Sequence, residues 1–304
     1  VKDAEGCIVS DEVTVTEPEN ALIGTASETN VVTCKGGNDG QATMTASGGW
    51  GTLTYSKDGI TYGASNVFGG LIAGDYILYV KDAEGCIVSD EVTVTEPAAI
   101  PLSGTVKYYK DYTLNSVYYP NIPMNNVTVR LNETGTTNMV AETVTDIDGE
   151  YTFTNVCPGD YDVVLTTVKP VGSINATDAA QVNYWNVNRP GGIRQTIEMI
   201  KFFAGDVNNE GQVNADDASM IQQYFVSYGT APSDMLNKPW EFWNAGDPVS
   251  TQGNINTMIT VNIPAGSSGV TRDFFGLASG DFNRSFVPTT LNSASGSETL
   301  TLLQ

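Results

Sequence analysis

The stretch "TDIDGEYTFTNVCPGDYDV", Thr145 to Val163, decides the fold class. Tyr151 and Phe153 alternate with Thr152 and Thr154, and Tyr161 and Val163 flank Asp162. A period of two marks a strand with one face toward a core. "DIDG" at 146–149 and "CPGD" at 157–160 interrupt it with turn formers. The same alternation recurs in "VTVRL" (127–131) and "YDVVLTTV" (161–168). Short strands joined by tight turns predict an antiparallel sandwich over about 101–167.

Composition agrees. Of 304 residues, 31 are Gly and 13 Pro, a mix suited to turns more than to long helices. The net charge is −21, from 14 basic and 35 acidic residues, which argues against nucleic-acid binding and favours divalent cations. The chain has no histidine, so Ser-His-Asp and Cys-His catalysis and histidine-ligated zinc are excluded. No apolar run of about 18 residues is present to span a membrane. The start, "VKDAEGC", has neither Met nor a signal-peptide pattern and reads as a cut from a longer chain.

The segment 101–167 resembles the carboxypeptidase-regulatory-like or Cna-B-like sandwich, carried by "TDIDGEYTFTNVCPGDYDV". The resemblance implies a spacer or packing platform. Cys157 has no evident partner and reads as a buried thiol, since no basic neighbour would lower its pKa.

Upstream, "VKDAEGCIVSDEVTVTEP" occurs at 1–18 and again, unchanged, at 80–97. The spacing of Val1 and Val80 gives a period of 79 residues, the mark of a repeat array. Residues 1–18 are then the tail of a preceding repeat and 19–98 one complete repeat. "VVTCKGGNDGQATMTASGGWGTLTYSKDG" and "GGLIAGDYILYVKDAEGCIVSDEVTVTEP" again alternate between turn residues and predict a small sandwich. Cys34 near the start and Cys86 near the end are expected to pair, with Cys7 pairing upstream; two buried free thiols are the alternative. A disulfide implies an oxidising, extracytoplasmic setting. Asp39 in "NDG" and Asp82 in "DAEG" read as turn formers, with calcium binding as the alternative. The segment resembles the SprB-type repeat of large Bacteroidota surface proteins, through "TCKGGNDG", "GGLIAGDYILYVKDAEGC" and "VTVTEP". That implies a secreted adhesin and, by family association, type IX secretion.

"FFAGDVNNEGQVNADDASMIQQYFV" (202–226) carries the chemistry. An EF-hand-type loop places oxygen ligands at positions 1, 3, 5, 7, 9 and 12, with Gly at 6. From Asp206, these become Asn208 at 3, Glu210 at 5, Gly211 at 6, the Gln212 carbonyl at 7, Asn214 at 9 and Asp217 at 12. Val213 at 8 anchors the loop, and Ala218, Ile221, Tyr224 and Phe225 follow at helical spacing. Glu210 departs from the usual shorter side chain. "GDVNNEGQVNADDA" resembles a dockerin repeat, which implies calcium, a second loop-helix unit and a cohesin partner.

"GSINATDAAQVNYW" aligns as that second unit, with Asp178 matching Asp217 and Ile174 matching Val213. Its front is wrong: positions 1, 3 and 5 would be Thr167, Lys169 and Val171. Far downstream, "GDFNRS" sets Asp281, Asn283 and Ser285 at 1, 3, 5 spacing and then stops. Two readings stand. Either the halves meet, with Asp281, Asn283 and Ser285 joining Asp178 and the Ser173 carbonyl around one ion, or one is a vestigial loop and the other an ordinary turn.

Between them, "NINTMITVNIPAG" and "GVTRDFFGLASGD" read as a hairpin. Trp240, Phe242, Trp243, Phe274 and Phe275 read as core, a carbohydrate platform being the alternative. The expected architecture is mainly β: tandem antiparallel β-sandwich modules at 19–98 and 99–167, then a small α-helical dockerin-like module with an added β-hairpin at 168–290. Residues 291–304 are a linker or the first strand of a further domain. No catalytic constellation is visible. The expected function is a non-enzymatic, calcium-rigidified adhesive segment, extracellular or on the cell surface, acting with other modules of its own chain. Alternatives are a dockerin proper with a cohesin-like partner, a glycan binder, or an accessory region of a secreted enzyme.

Overall fold

The computed structural model describes residues 1–110, 112–114, 116–187, 199–227, 235, 238–246 and 259–285. The chain divides into two compact units, Val1–Ala98 and Ala99–Gln304.

The first unit contains β1 (Ile23–Asn30), β2 (Gly40–Ser47), β3 (Thr54–Ser56), β4 (Val67–Leu71), β5 (Gly74–Lys81) and β6 (Ile87–Val94). They form two antiparallel sheets, β1-β2-β4 and β3-β5-β6. Val32, Ala42, Met44, Leu71, Leu78, Val80, Val92 and Val94 make the core. Alternation explains the membership: Ala42 and Met44, or Leu78 and Val80, lie two apart on one strand face.

The two copies of "DAEGC" separate local from tertiary causes. Asp3 Oδ1 accepts from the amides of Glu5 (3.1 Å) and Cys7 (2.8 Å), as Asp82 Oδ1 does from Glu84 (3.1 Å) and Cys86 (2.8 Å). The turn forms from its own residues. The strand that follows does not: Val92 and Val94 are 8% and 1% exposed, whereas their counterparts Val13 and Val15 are 86% and 89% exposed.

The expected Cys34–Cys86 disulfide is absent. Cys86 is a free, exposed thiol, as is Cys7, while Cys34 is disulfide-bonded. The reason is strand length. Cys86 sits where β6 begins, and the Cys34 loop sits where β6 ends, since the Val32 amide bonds the Thr95 carbonyl at 2.9 Å. An eight-residue strand spans more than about 20 Å, and a disulfide needs Cα atoms within about 7 Å. Cys157 also departs from expectation: it is exposed and disulfide-bonded, where a buried thiol was expected.

The second unit contains β7 (Leu102–Tyr108), β8 (Tyr112–Leu114), β9 (Val117–Tyr119), β10 (Ile122–Pro123), β11 (Val127–Glu133), β12 (Met139–Val144), β13 (Glu150–Phe153) and β14 (Gly159–Thr167). Helices α1 (Ala176–Val187), α2 (Met199–Gly205) and α3 (Ala215–Val226) follow. Then come β15 (Trp240–Asn244), β16 (Ile259–Ile263), β17 (Val270–Thr271) and β18 (Phe274–Ala278). One sheet runs β10-β7-β18-β15, with β13 and β17 also on β7; the other runs β12-β11-β14-β16, and β8 pairs β9 alone. Val127, Val129 and Leu131 of β11 point into the shared core, as do Leu102, Val106 and Tyr108 of β7.

The expected hairpin is a different object. Its strands do not pair with each other: β16 joins β14 antiparallel, and β18 joins β7 parallel and β15 antiparallel. The last strands therefore complete the sandwich begun at residue 102, and the division drawn at 167/168 falls inside one unit. Gly104 shows how closely they pack, since a Cβ there would lie 1.7 Å from the Arg272 carbonyl oxygen. The aromatics are core: Trp240, Phe242, Trp243 and Phe274 are buried and Phe275 packs against them. Residues 254–258 of the first expected strand, and 291–304, lie outside the described residues.

Candidate metal centres

The contiguous loop closes on itself through its own backbone amides. Asn214 caps α3 and accepts the Asp216 amide at 2.6 Å. Asp217 returns the capping-box bond, accepting the Asn214 amide at 2.8 Å. Its other oxygen accepts the Val207 amide at 3.0 Å, closing position 12 onto the loop start. Asp206 accepts the amides of Glu210 (2.9 Å) and Gly211 (2.7 Å), and Asn208 Oδ1 that of Glu210 (3.1 Å). Gly211 has φ +83°, the left-handed turn that position 6 demands. Val213 is fully buried in a cluster with Ile221, Val207 and Ile174. Gln212 at position 7 is exposed. Glu210 stands apart: its carboxylate accepts the Asn214 side-chain amide.

The split loop repeats these contacts with two chain segments. Asn175 Oδ1 accepts the Thr177 amide at 2.8 Å, and Asp178 accepts the Asn175 amide at 3.0 Å, as Asn214 and Asp217 do. Asp281 and Asn283 accept the Ser285 amide at 2.8 and 2.7 Å, as Asp206 and Asn208 accept that of Glu210. The seam is one bond: the Asn283 amide donates to Asp178 at 2.8 Å, across a separation of 105 residues. Ile174 and Phe282 share the apolar cluster of Val213 and Val207. The Ser173 carbonyl accepts the Asn175 side-chain amide at 2.6 Å. Lys169, which would have repelled an ion at position 3, instead donates from Nζ to Asn125 at 2.6 Å in the sandwich.

Sequence reasoning missed one participant. The Tyr108 hydroxyl of β7 donates to the second oxygen of Asp281. Tyr108 reads in the sequence as one more apolar-face residue of its strand; no spacing rule couples it to residue 281.

The electrostatics mark both centres. Burial, with the Asp281 charge nearby, pushes the Asp178 carboxyl up to about 7. Burial, with Asp206 and Glu210 adding charge, pushes Asp217 up to about 6, and burial raises Asp206. Among the described residues, the ion pairs are Lys35–Glu96, Arg130–Glu142 and Lys238–Glu241, so none neutralises Asp178, Asp206 or Asp217. Buried carboxylates without a counter-charge are unfavourable when ionised. As the side chains stand, no three acidic or thiol groups among the described residues converge at metal spacing, and Glu210 is the one turned to other use. Each centre offers two buried aspartates with side-chain amide and main-chain oxygens near them, and the split centre adds the hydroxyls of Ser285 and Tyr108. An all-oxygen donor set suits a hard cation such as calcium.

Residues 119–209 match the SdrD B-like domain, and residues 26–59 match the SprB repeat. No curated protein matches the sequence. Among solved structures, the chain is similar to the major pilin subunit BcpA of Bacillus cereus, with TM-score 0.35 and 10% identity over 92% of this chain and 77% of that one. A tetra-tandem repeat in the extending region of a large adhesion protein gives TM-score 0.17 and 16% identity, over 48% of this chain and 45% of that one. The fibronectin(III)-like modules of Clostridium thermocellum CbhA give 0.18 and 12%, over 46% and 84%.

Proposed function

We propose that the chain is a non-enzymatic structural segment of a repetitive adhesin-like protein, displayed outside the cell, whose second unit is made rigid by two calcium ions. The repeat and SdrD B-like matches, the duplicated 18-residue stretch and the disulfide support the surface setting. No helix among the described residues is long and apolar enough to cross a membrane. The observation that carries the calcium reading is the Asn283 amide on the buried Asp178 carboxylate. That bond completes a loop the sequence leaves in two pieces. Asp206, Asn208, Asp217 and the Gln212 carbonyl would hold one ion; Asp178, Asp281, Asn283, Ser285 and the Ser173 carbonyl would hold the other. Bound calcium would supply positive charge beside the buried Asp178, Asp206 and Asp217, whose carboxyls burial raises. Calorimetry of the chain should give two ions, falling to one in Asp281→Ala. One ion in the unaltered chain, unchanged by Asp281→Ala, defeats the split centre.

One observation favours a second reading, a dockerin that binds a cohesin-like partner. Tyr184 and Val187 on α1, and Phe225 and Val226 on α3, are exposed, Tyr184 at 67%. Retention of a cohesin by the chain in calcium, lost on chelation, would establish it.

A further inference from the structure

We propose that Tyr108 is the positioning residue of the split centre, and that through it calcium bound there clamps the helical segment onto the sandwich. The inference rests on the calcium reading of that centre. It comes from comparing the two position-1 aspartates. Both oxygens of Asp206 are held by amides of its own loop, Glu210 and Gly211. Asp281 has only the short "GDFNRS" front. Its Oδ1 accepts the Ser285 amide, and its Oδ2 accepts the Tyr108 hydroxyl. The sandwich thus supplies what the continuing loop supplies in the other centre.

Tyr108 is placed to do this rigidly. It is fully buried at the end of β7, packed edge-on to Trp240 with centroids 6.1 Å apart. β7 pairs directly with β18, which leads into Asp281. Two residues further on, Lys110 Nζ donates to the Ser285 carbonyl at 3.3 Å. The short front is therefore held at both ends by the same stretch of chain. The Tyr108 hydroxyl donates and the carboxylate accepts, so the bond orients Asp281 without consuming its charge.

The test uses the full chain, calorimetry with calcium, and hydrogen exchange of the 102–108 backbone. Asp206→Ala should retain one ion, and calcium should still slow exchange in β7. Tyr108→Phe should bind both ions, one about tenfold more weakly, with the slowing lost, as expected when an orienting partner of a ligand is removed. If the unaltered chain takes up one ion and Asp206→Ala abolishes it, the split centre and this proposal both fall. If two ions bind and Tyr108→Phe changes neither affinity nor exchange, the role of Tyr108 alone is overturned. Should Tyr108→Phe not fold, Asp206→Ala still decides: loss of the β7 response in that variant overturns the clamp.

Discussion

Asp82 in the first unit and Asp178 in the second are both buried aspartates fed by backbone amides, yet their charges are treated in opposite ways. Asp82 accepts from Trp50, Glu84 and Cys86, and these bonds hold its carboxyl below the usual range. Asp178 accepts from Asn175 and Asn283, yet its carboxyl sits at about 7. The difference is the surroundings. Asp178 is more deeply buried and has a second carboxylate, Asp281, close by. A lone aspartate in a turn is complete when its amides are in place. A pair of buried aspartates such as Asp178 and Asp281 is relieved by a proton or by a bound cation. Asp39 makes the same kind of turn contact, taking the amide and hydroxyl of Thr33 at 3.0 and 2.5 Å.

Chelation should give the largest contrast. An ion bound at 1,000 times its Kd contributes about 4 kcal/mol, and a domain of this size shifts by roughly 2–4 °C per kcal/mol. Calorimetric melting in EDTA should lower the transition of the second unit by roughly 10 °C or more and leave that of the first in place. Equal shifts in both would erase the comparison.

Asparagine substitution sharpens it. Asp82→Asn removes a charged acceptor from three amides and should lower the first transition by roughly 5 °C. Asp178→Asn removes an uncompensated buried charge. In EDTA it should leave the second transition unchanged or raise it, while in calcium it should cost one ion by calorimetry. A substantial drop in EDTA would show that Asp178 is held as Asp82 is.

The two halves of the molecule were unequally legible. Local signals carried far: alternation in "VTVRL" and "YTFTNV" names residues that are buried, and the 1, 3, 5 spacing of Asp281, Asn283 and Ser285 singled out a fragment whose partner lay a hundred residues away. Long-range choices were not legible. β16 and β18 read as a hairpin because they are neighbours in sequence, but unpaired edges of opposite sheets were available to each. Cys34 and Cys86 read as a pair because one repeat holds both, and only the length of β6 shows that they lie at its opposite ends. Tyr108 has an ordinary core position in β7, so its bond to Asp281 belongs to the packed molecule alone.

Acidification should move the units in opposite directions. In chelator, folded Asp178 and Asp217 hold protons up to about pH 7 and 6, where unfolded aspartates release theirs near 4. The folded second unit binds more protons across that window, so its stability is greatest below it and falls as pH rises through it. Asp58, held down at about 2 by amides of Thr61 and Ile60, and Asp82 do the reverse. Their contribution is present above about pH 4 and is lost as pH falls. Melting in EDTA at pH 5 and pH 7.5 should show the second transition higher at pH 5. Calcium should invert that order, because protons and the ion compete for the same oxygens.

The smallest effect separates backbone from ion. Gly85 in the "DAEG" turn and Gly211 in the metal loop both lie at positive φ, +92° and +83°, and a Cβ on either would meet nothing within 4 Å. Alanine at either place therefore carries only the strain of the left-handed region, about 1 kcal/mol. In EDTA the two substitutions should cost their units equal amounts. In calcium they should diverge, because the Gly211 amide also orients Asp206 at 2.7 Å, and a shifted backbone weakens that hold. Gly211→Ala should then lower the affinity of the contiguous centre while the split centre keeps its own. Gly85→Ala should be indifferent to calcium. If Gly211→Ala proves equally indifferent, the Asp206 carboxylate is set by its turn alone, and the loop is a second Asp82.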